Sequence, residues 1–421
     1  MPDIVRATYS LTTPLFSVGA AQDEPELRLP SFKGVLRFWW RALAWSRFQG
    51  DLQRIREEES RTFGSPGKDG QSALLMRIVV ENRGTRLRRG DCLVPNLRPG
   101  GPAAHPQGVY YLGYGLVQGG GQQMGCIQRA ALCPPVGFTV EMLVLKNKIS
   151  ATALETLIDA LKAIGLMGGM GARSRRGFGS LTLNRLTVGS LGSKEVSDLW
   201  QPPASVDQLR EALARFSVAG APRRFPEYTA LSPFARSVVV TSSTTKEPLR
   251  LLDQIGLELM LYRGWGRNGQ VAGRPSERRF KEDHDLMLEL KESVRTHPRR
   301  IAFGLPHNYR FSSLSKEEKP NRSVRPLGPP GKKLDRRASP LFIHIHLCGT
   351  TPVGVLTFLP ARFLPAGSKV AMEHIRVELE KDLSNLYEPV EEFLNRLLKR
   401  SQEHDNTPKT GFGTATEVRW V

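Results

Sequence analysis

At 421 residues, 40% hydrophobic and 24% charged, the chain is too long for one typical core and too apolar for general disorder, so two folded domains are expected. No run approaches the roughly 18 consecutive apolar residues of a membrane span, and residues 1–11 lack the basic-then-apolar layout of a secretion signal, which places the chain in the cytoplasm. The 60 Lys and Arg against 41 Asp and Glu leave a formal charge of +19.

Residues 6–11 alternate as a strand, and Thr12-Thr13-Pro14 opens a loop reaching Pro30. From Ser31 to Phe48 the pattern is helical. Ser31 stands as the N-cap, and Phe32, Leu36, Trp39 and Leu43 recur as a core stripe. A second helix, Leu52 to Phe63, ends at Gly64-Ser65-Pro66-Gly67, and strands over Ala73 to Glu81 and Gly137 to Leu145 flank a Gly- and Pro-heavy insertion. Ala151 to Ile164 is an amphipathic helix, followed by a glycine- and arginine-rich segment, Gly165 to Gly179, and a closing strand, Ser180 to Val188. This β-α-β-β-α-β succession is the ferredoxin-like split.

A composition break at Gly189 to Ser193 and Gln201-Pro202-Pro203, with a short helix over Val206 to Ala214, divides the chain into a domain over 1–190, a linker over 191–230 and a domain over 231–421. The second domain reads as a strand (Ala235 to Thr241), a helix (Leu249 to Tyr262), strands over Leu341 to Leu347 and Val353 to Leu359, a long helix from Val370 to Arg400, and a final strand to Val421. Its Thr410-Gly411-Phe412-Gly413-Thr414 echoes Arg176-Gly177-Phe178-Gly179-Ser180 in the first domain. The expected fold is therefore α+β: two tandem ferredoxin-like (RRM-like, βαββαβ) domains with insertions, the second carrying a basic insertion from Arg263 to Arg337.

The charge surplus suits a polyanion, because each phosphate neutralised by Lys or Arg releases condensed counterions; nucleic acid is the default and simple solubility the alternative. An acidic membrane would call for a basic amphipathic helix or a lipid anchor, and no lipidation motif is present. Cys92, Cys126, Cys133 and Cys348 contain no C-x-x-C pair, so neither a zinc site nor a disulfide framework is indicated.

In the Gly165 to Gly179 segment, Gly168, Gly169, Gly171 and Gly177 accompany Arg173, Arg175 and Arg176. Glycine lets a ligand approach main-chain N–H groups, and arginine forks onto phosphate. A helix precedes the segment and no Gly-Lys-Ser/Thr ends it, which excludes a P-loop and a Rossmann fingerprint. The competing reading is a tight helix-to-strand connection with incidental arginines. On the first helix Lys33, Arg37 and Arg41 recur every four residues with Trp40 at the border of the core stripe, a face suited to a single-stranded backbone and a stacked base, or simply a solvated face. Gly34 would admit a phosphate to the first turn. Arg263-Gly264-Trp265-Gly266-Arg267 and the cluster of Arg274, Arg278 and Arg279 form a basic loop that extends this path or stands as a solvated insertion.

Thr13-Pro14-Leu15-Phe16-Ser17-Val18-Gly19-Ala20, Arg28, Ser31-Phe32-Lys33-Gly34-Val35-Leu36-Arg37-Phe38-Trp39-Trp40-Arg41-Ala42, Glu59, Phe63-Gly64-Ser65 and the glycine- and arginine-rich segment together resemble the RAMP superfamily. Within it they resemble the first-subunit family of type III-B CRISPR (Cmr) effector complexes. The resemblance covers about the first 180 residues. It implies tandem ferredoxin-like domains, no cofactor, and a non-catalytic subunit that helps hold CRISPR RNA or capture target RNA beside other RAMP subunits in antiviral defence. On it, Lys33, Arg37, Arg41, Arg173, Arg175 and Arg176 inherit RNA contact. A purely structural scaffold is one alternative. The other is a metal-independent endoribonuclease, as some relatives are, with His344 and His346 on one strand face, and His307, as the candidate bases.

Overall fold

A computed structural model describes residues 2–66, 70–93, 107–193, 195–266, 269–311, 314, 320–402 and 412–420. The first half comprises β1 (Asp3–Leu11), α1 (Leu29–Arg47), α2 (Leu52–Phe63), β2 (Leu74–Leu87), α3 (Gln107–Leu112), β3 (Ala131–Val144), α4 (Ala151–Met167), β4 (Leu181–Ser190) and β5 (Val196–Asp198); α5 (Val206–Ala214) follows. The second half runs through β6 (Arg236–Ser242), α6 (Pro248–Arg263), β7 (Gln270–Val271), β8 (Arg274–Pro275), α7 (Lys281–Leu288), β9 (His307–Tyr309), β10 (Arg322–Leu327), β11 (Leu341–Cys348), β12 (Thr351–Phe358), β13 (Lys369–Met372), β14 (Ile375–Glu378), α8 (Leu383–Gln402) and β15 (Phe412–Arg419).

The chain is α+β, and its two larger sheets are antiparallel throughout. In the first, the order β2-β3-β1-β4-β5 puts β1 between β3 and β4, with Tyr9 opposite Phe138 on one side and Leu183 on the other. In the second, β11-β12-β6-β15 repeats that order with β6 in the place of β1. Alternation sets the faces: Val5, Ala7, Tyr9 and Leu11 of β1 point inward, while Arg6 and Thr8 face out. A further four-stranded sheet of shorter strands, β14-β13-β10-β9, and the two-stranded β7-β8 come from the stretch after α6.

Local chemistry sets most helix starts. Asp51 caps α2 by accepting from the amides of Gln53 and Arg54, each at 3.0 Å, and Ser150 caps α4 from Ala153 at 3.2 Å. The helix α1 departs from expectation: it begins at Leu29 with Pro30 in its first turn, so Ser31 lies inside it and Arg28 is an N-cap without a side-chain bond. A second departure is the long helix expected from Val370. Residues 369–378 instead alternate in burial as the hairpin β13–β14, turned at Glu373 with φ of +53°, and the helix starts at Leu383.

Two buried clusters form the core, and neither keeps to one half. Phe342, Cys348, Val353 and Val355 of the second sheet join the cluster of the first sheet and α4, and Phe16, Val109, Tyr110 and Phe178 join that of the second half. The helix α3 docks on α6, where a Cβ on Gly256 would lie 2.4 Å from the Gly108 carbonyl oxygen. The Asp253 carboxylate accepts from the Val109 amide at 3.0 Å.

Candidate nucleic-acid interface

The glycine-rich segment is shorter than its composition suggests. The helix α4 continues to Met167, so Gly165 belongs to its last turn and the loop proper starts at Gly168. It is stitched to residues 13–16: Ala172 N donates to Phe16 O and Gly179 N to Pro14 O, both at 2.9 Å, while Thr13 Oγ1 donates to Gly177 O at 2.6 Å. Two of its glycines are explained by packing. A Cβ on Gly168 would sit 2.6 Å from Trp39 Nε1, and one on Gly177, where φ is +84°, 2.3 Å from Leu252 Cδ1. Gly177 is therefore buried beneath the loop and does not line a ligand path, which corrects the expectation for it.

The strand β11 clasps the loop from the other half. Ile343 N donates to Arg175 O at 3.1 Å and Ile345 N to Ser180 Oγ at 3.1 Å. His344 Nδ1 donates to Gly168 O at 2.6 Å and His346 Nδ1 to Gly165 O at 2.9 Å. Burial pushes the His344 imidazole down to about 3 and His346 down to about 4, so both are neutral, and their Nε2 atoms are enclosed without a hydrogen-bond partner among the described residues. Among the described residues no three His, Cys, Asp or Glu gather as a metal-binding group. His307 is held well below its ordinary range by burial and then by Arg263, Arg300 and Arg176.

Between the loop and α1 lies a groove of about 370 Å³, lined by Ser31, Gly34, Val35, Phe38 and Trp39 on one side and Gly168, Gly169, Gly171, Ser174 and Arg175 on the other, with Phe342 of β11 closing it. The structure thus brings α1 and the loop together, but through an α1 face that does not include Lys33, Arg37, Trp40 or Arg41 among its lining residues. Arg175 donates to Ser339 O at 2.6 Å, and its guanidinium lies 4.5 Å from the Phe342 ring centroid and 5.2 Å from that of Phe38. Arg173, exposed and with φ of +62°, donates to Tyr114 O at 2.5 Å.

Burial first, and then neighbouring cations, lower the guanidinium of Arg175 to about 10 and that of Arg176 to about 10: Arg337 for Arg175, and Arg263 and Arg173 for Arg176. Burial and then Arg336 lower Arg173. Among the described residues, Arg173, Arg175, Arg176, Arg263 and Arg337 form no ion pair. Crowded, partly desolvated cations without a carboxylate make a site that an anion stabilises.

The helix side differs. Arg37 pairs with Glu59 of α2, and Arg41 Nε lies 3.6 Å from the same carboxylate oxygen. Lys33 is half-buried, its ammonium lowered by burial and then by Arg37. Trp40, expected at the border, is fully buried: it donates to Ala153 O at 3.0 Å and packs on Phe48 and Phe63, so its ring belongs to the core and cannot stack on a base.

The second-half basic loop also needs correction. Arg263 is only 7% exposed, with its guanidinium 4.6 Å from the Phe303 ring centroid; it adds positive potential beside Arg176 and presents no surface. Arg267 lies outside the described residues. Arg274, half-buried in β8, faces Asp253 electrostatically, and Trp265 stacks on His284 at 4.4 Å with Arg278 beside it. Of the echoing glycine motif, Gly411 is outside the described residues and Phe412-Gly413 opens β15 as strand. Sequence reasoning passed over Tyr114 and Arg310, which meet beside Arg173; the only signal was the Tyr110-Tyr111…Tyr114 spacing within the insertion.

The RAMP superfamily profile matches residues 8–182, from β1 through the loop into β4. Across both halves the chain is similar to the CRISPR system Cmr subunit Cmr1-1 of Pyrococcus furiosus, 27% identical over 84% of this chain and 86% of that protein. A second P. furiosus protein, Cmr subunit Cmr1-2, is 40% identical over a segment covering 17% of this chain and 36% of its own length. The crystal structure of Cmr1 from P. furiosus in its apo form shares the fold, with a TM-score of 0.52 over 99% of both chains at 19% identity.

Proposed function

We propose that this chain is a non-catalytic, RNA-holding subunit of a type III-B CRISPR (Cmr) ribonucleoprotein effector, acting in the cytoplasm with CRISPR RNA, target RNA and other RAMP subunits as partners. The similarity to Cmr1 subunits supports the assembly. We read each half as a ferredoxin-like unit, over 1–190 and 231–421 with 191–230 as linker, on the strand order shared by the two sheets. The observation that carries the ligand class is the cluster of Arg173, Arg175 and Arg176, without an ion pair among the described residues, of which Arg175 lines a groove shared with α1. Such a groove takes a phosphodiester backbone. His344 and His346 are neutral, enclosed and engaged with backbone carbonyls, which supports a non-catalytic role.

The test uses the full chain and labelled single-stranded RNA over a salt series. Replacing Arg173, Arg175 and Arg176 by Gln should make the log K against log salt line shallower by about 2, from roughly 0.7 per lost phosphate contact on a single strand. Unchanged affinity and slope would refute the reading. RNA should stay intact in EDTA; cleavage abolished by His344→Gln would favour the endoribonuclease instead.

A further inference from the structure

Beside the loop, beyond Arg173, a second cavity of about 570 Å³ opens between α3, the turn that follows it and Arg310. Three tyrosines line it in graded exposure: Tyr110 is buried, Tyr111 half-buried, and Tyr114 is 51% exposed. Arg310, itself exposed, lies 4.9 Å from the Tyr114 ring centroid and bonds its hydroxyl. The amide side chains of Gln118 and Gln128 stand on the wall, and at Gly120 an added Cβ would meet nothing within 4 Å, so no neighbour excludes a side chain there. The cavity is tied to the basic loop, because Arg173 donates to the Tyr114 carbonyl.

Resting on the RNA-holding reading above, we propose that this cavity takes one unstacked nucleobase of the bound strand, stacked on the Tyr114 ring. An exposed ring carrying a guanidinium, with amides beside it and no carboxylate among the described residues of its walls, is suited to a flat, neutral, hydrogen-bonding ligand next to a phosphate. Arg173 and Arg310 flank the Tyr114 backbone and ring, where they neutralise the phosphates of that nucleotide. The strand then passes from the α1 groove over Arg175 and Arg173 to the tyrosine.

The experiment measures binding of the full chain to single-stranded RNAs carrying one abasic site at successive positions. Tyr114→Ala should weaken intact RNA about tenfold, and Tyr114→Trp should retain binding. At one position the abasic RNA should lose the same factor with the wild-type chain and lose nothing more with Tyr114→Ala. If Tyr114→Ala binds normally while Arg175→Gln is weakened, the base pocket is wrong and the RNA-holding reading stands. If neither is weakened, both fall. A Tyr114→Ala loss equal at every abasic position also overturns the pocket, since the ring would then act only by holding Arg173 and Arg310.

Discussion

Two arginine-rich surfaces, one on α1 and one on the glycine-rich loop, differ in what surrounds their charge. On α1, Arg37 and Arg41 converge on the carboxylate of Glu59, so much of their field is spent within the protein. On the loop, Arg173, Arg175 and Arg176 are bonded to carbonyl oxygens or crowded by other arginines, with no ion pair among the described residues. The first surface is a neutralised helix face and the second a held reserve of positive charge. Potential follows from where the acids sit, and a count of cations along a helix overstates what that helix offers a phosphate.

The largest expected effect tests this contrast directly. Arg175→Gln should weaken single-stranded RNA about tenfold, the loss of one charge-assisted bond to phosphate. Arg41→Gln should cost less than about twofold, as for an exposed pair whose partner acid is released in exchange. Equal losses from the two variants would erase the distinction.

The sequence carried the layout of the first half well, because β1, α1, α2 and α4 have clean periodicity and polar caps at Asp51 and Ser150. The loop was also legible, since glycines and arginines at that density are rare in a connection. What failed was anything decided by the second layer. Trp39 and Trp40 are both buried because other elements cover them: Trp39 packs on Phe342 of β11, and Trp40 bonds to Ala153 of α4 and packs on Phe63 of α2. Arg263 ends a helix that reads as entering a basic loop, yet Phe303 folds over its guanidinium. The hairpin at 369–378 was hidden because its apolar residues fit helical as well as alternating spacing, and only pairing with β10 selects the strand. The joining of the loop to β11 of the other half has no local signature at all.

That joint supplies the next test. A base held below its ordinary pKa in the fold favours folding fully above about 6.5, where both states are neutral, and the benefit is lost as pH falls toward about 4 for His346 and about 3 for His344. Each contributes a slope of at most about 1.4 kcal/mol per pH unit across that window. Acid should therefore loosen the loop side of the groove before the helix side. Hydrogen exchange at pH 7 and pH 5 should show the Met170, Ala172 and Gly179 amides losing protection while the interior of α1 keeps its own. With His344→Gln and His346→Gln together, this difference between the two pH values should shrink; uniform loss along both walls would mean that the clasp does not set it.

The smallest effect concerns the helix wall alone. Gly34 sits exposed inside α1, with no positive φ and nothing within 4 Å of an added Cβ. A helical glycine costs about 1 kcal/mol relative to alanine, and neither packing nor backbone geometry requires it in the free protein. Gly34→Ala should therefore raise the denaturation midpoint. If the RNA backbone lies against this wall, as the shared groove suggests, the added methyl group should also reduce affinity by about twofold through closer contact with the sugar-phosphate chain. A stabilised variant with weaker binding would show that α1 contributes shape where its neutralised arginines contribute little charge. A stabilised variant that binds like wild type would mean that the strand is held from the loop side only, and the difference between the two walls would be complete.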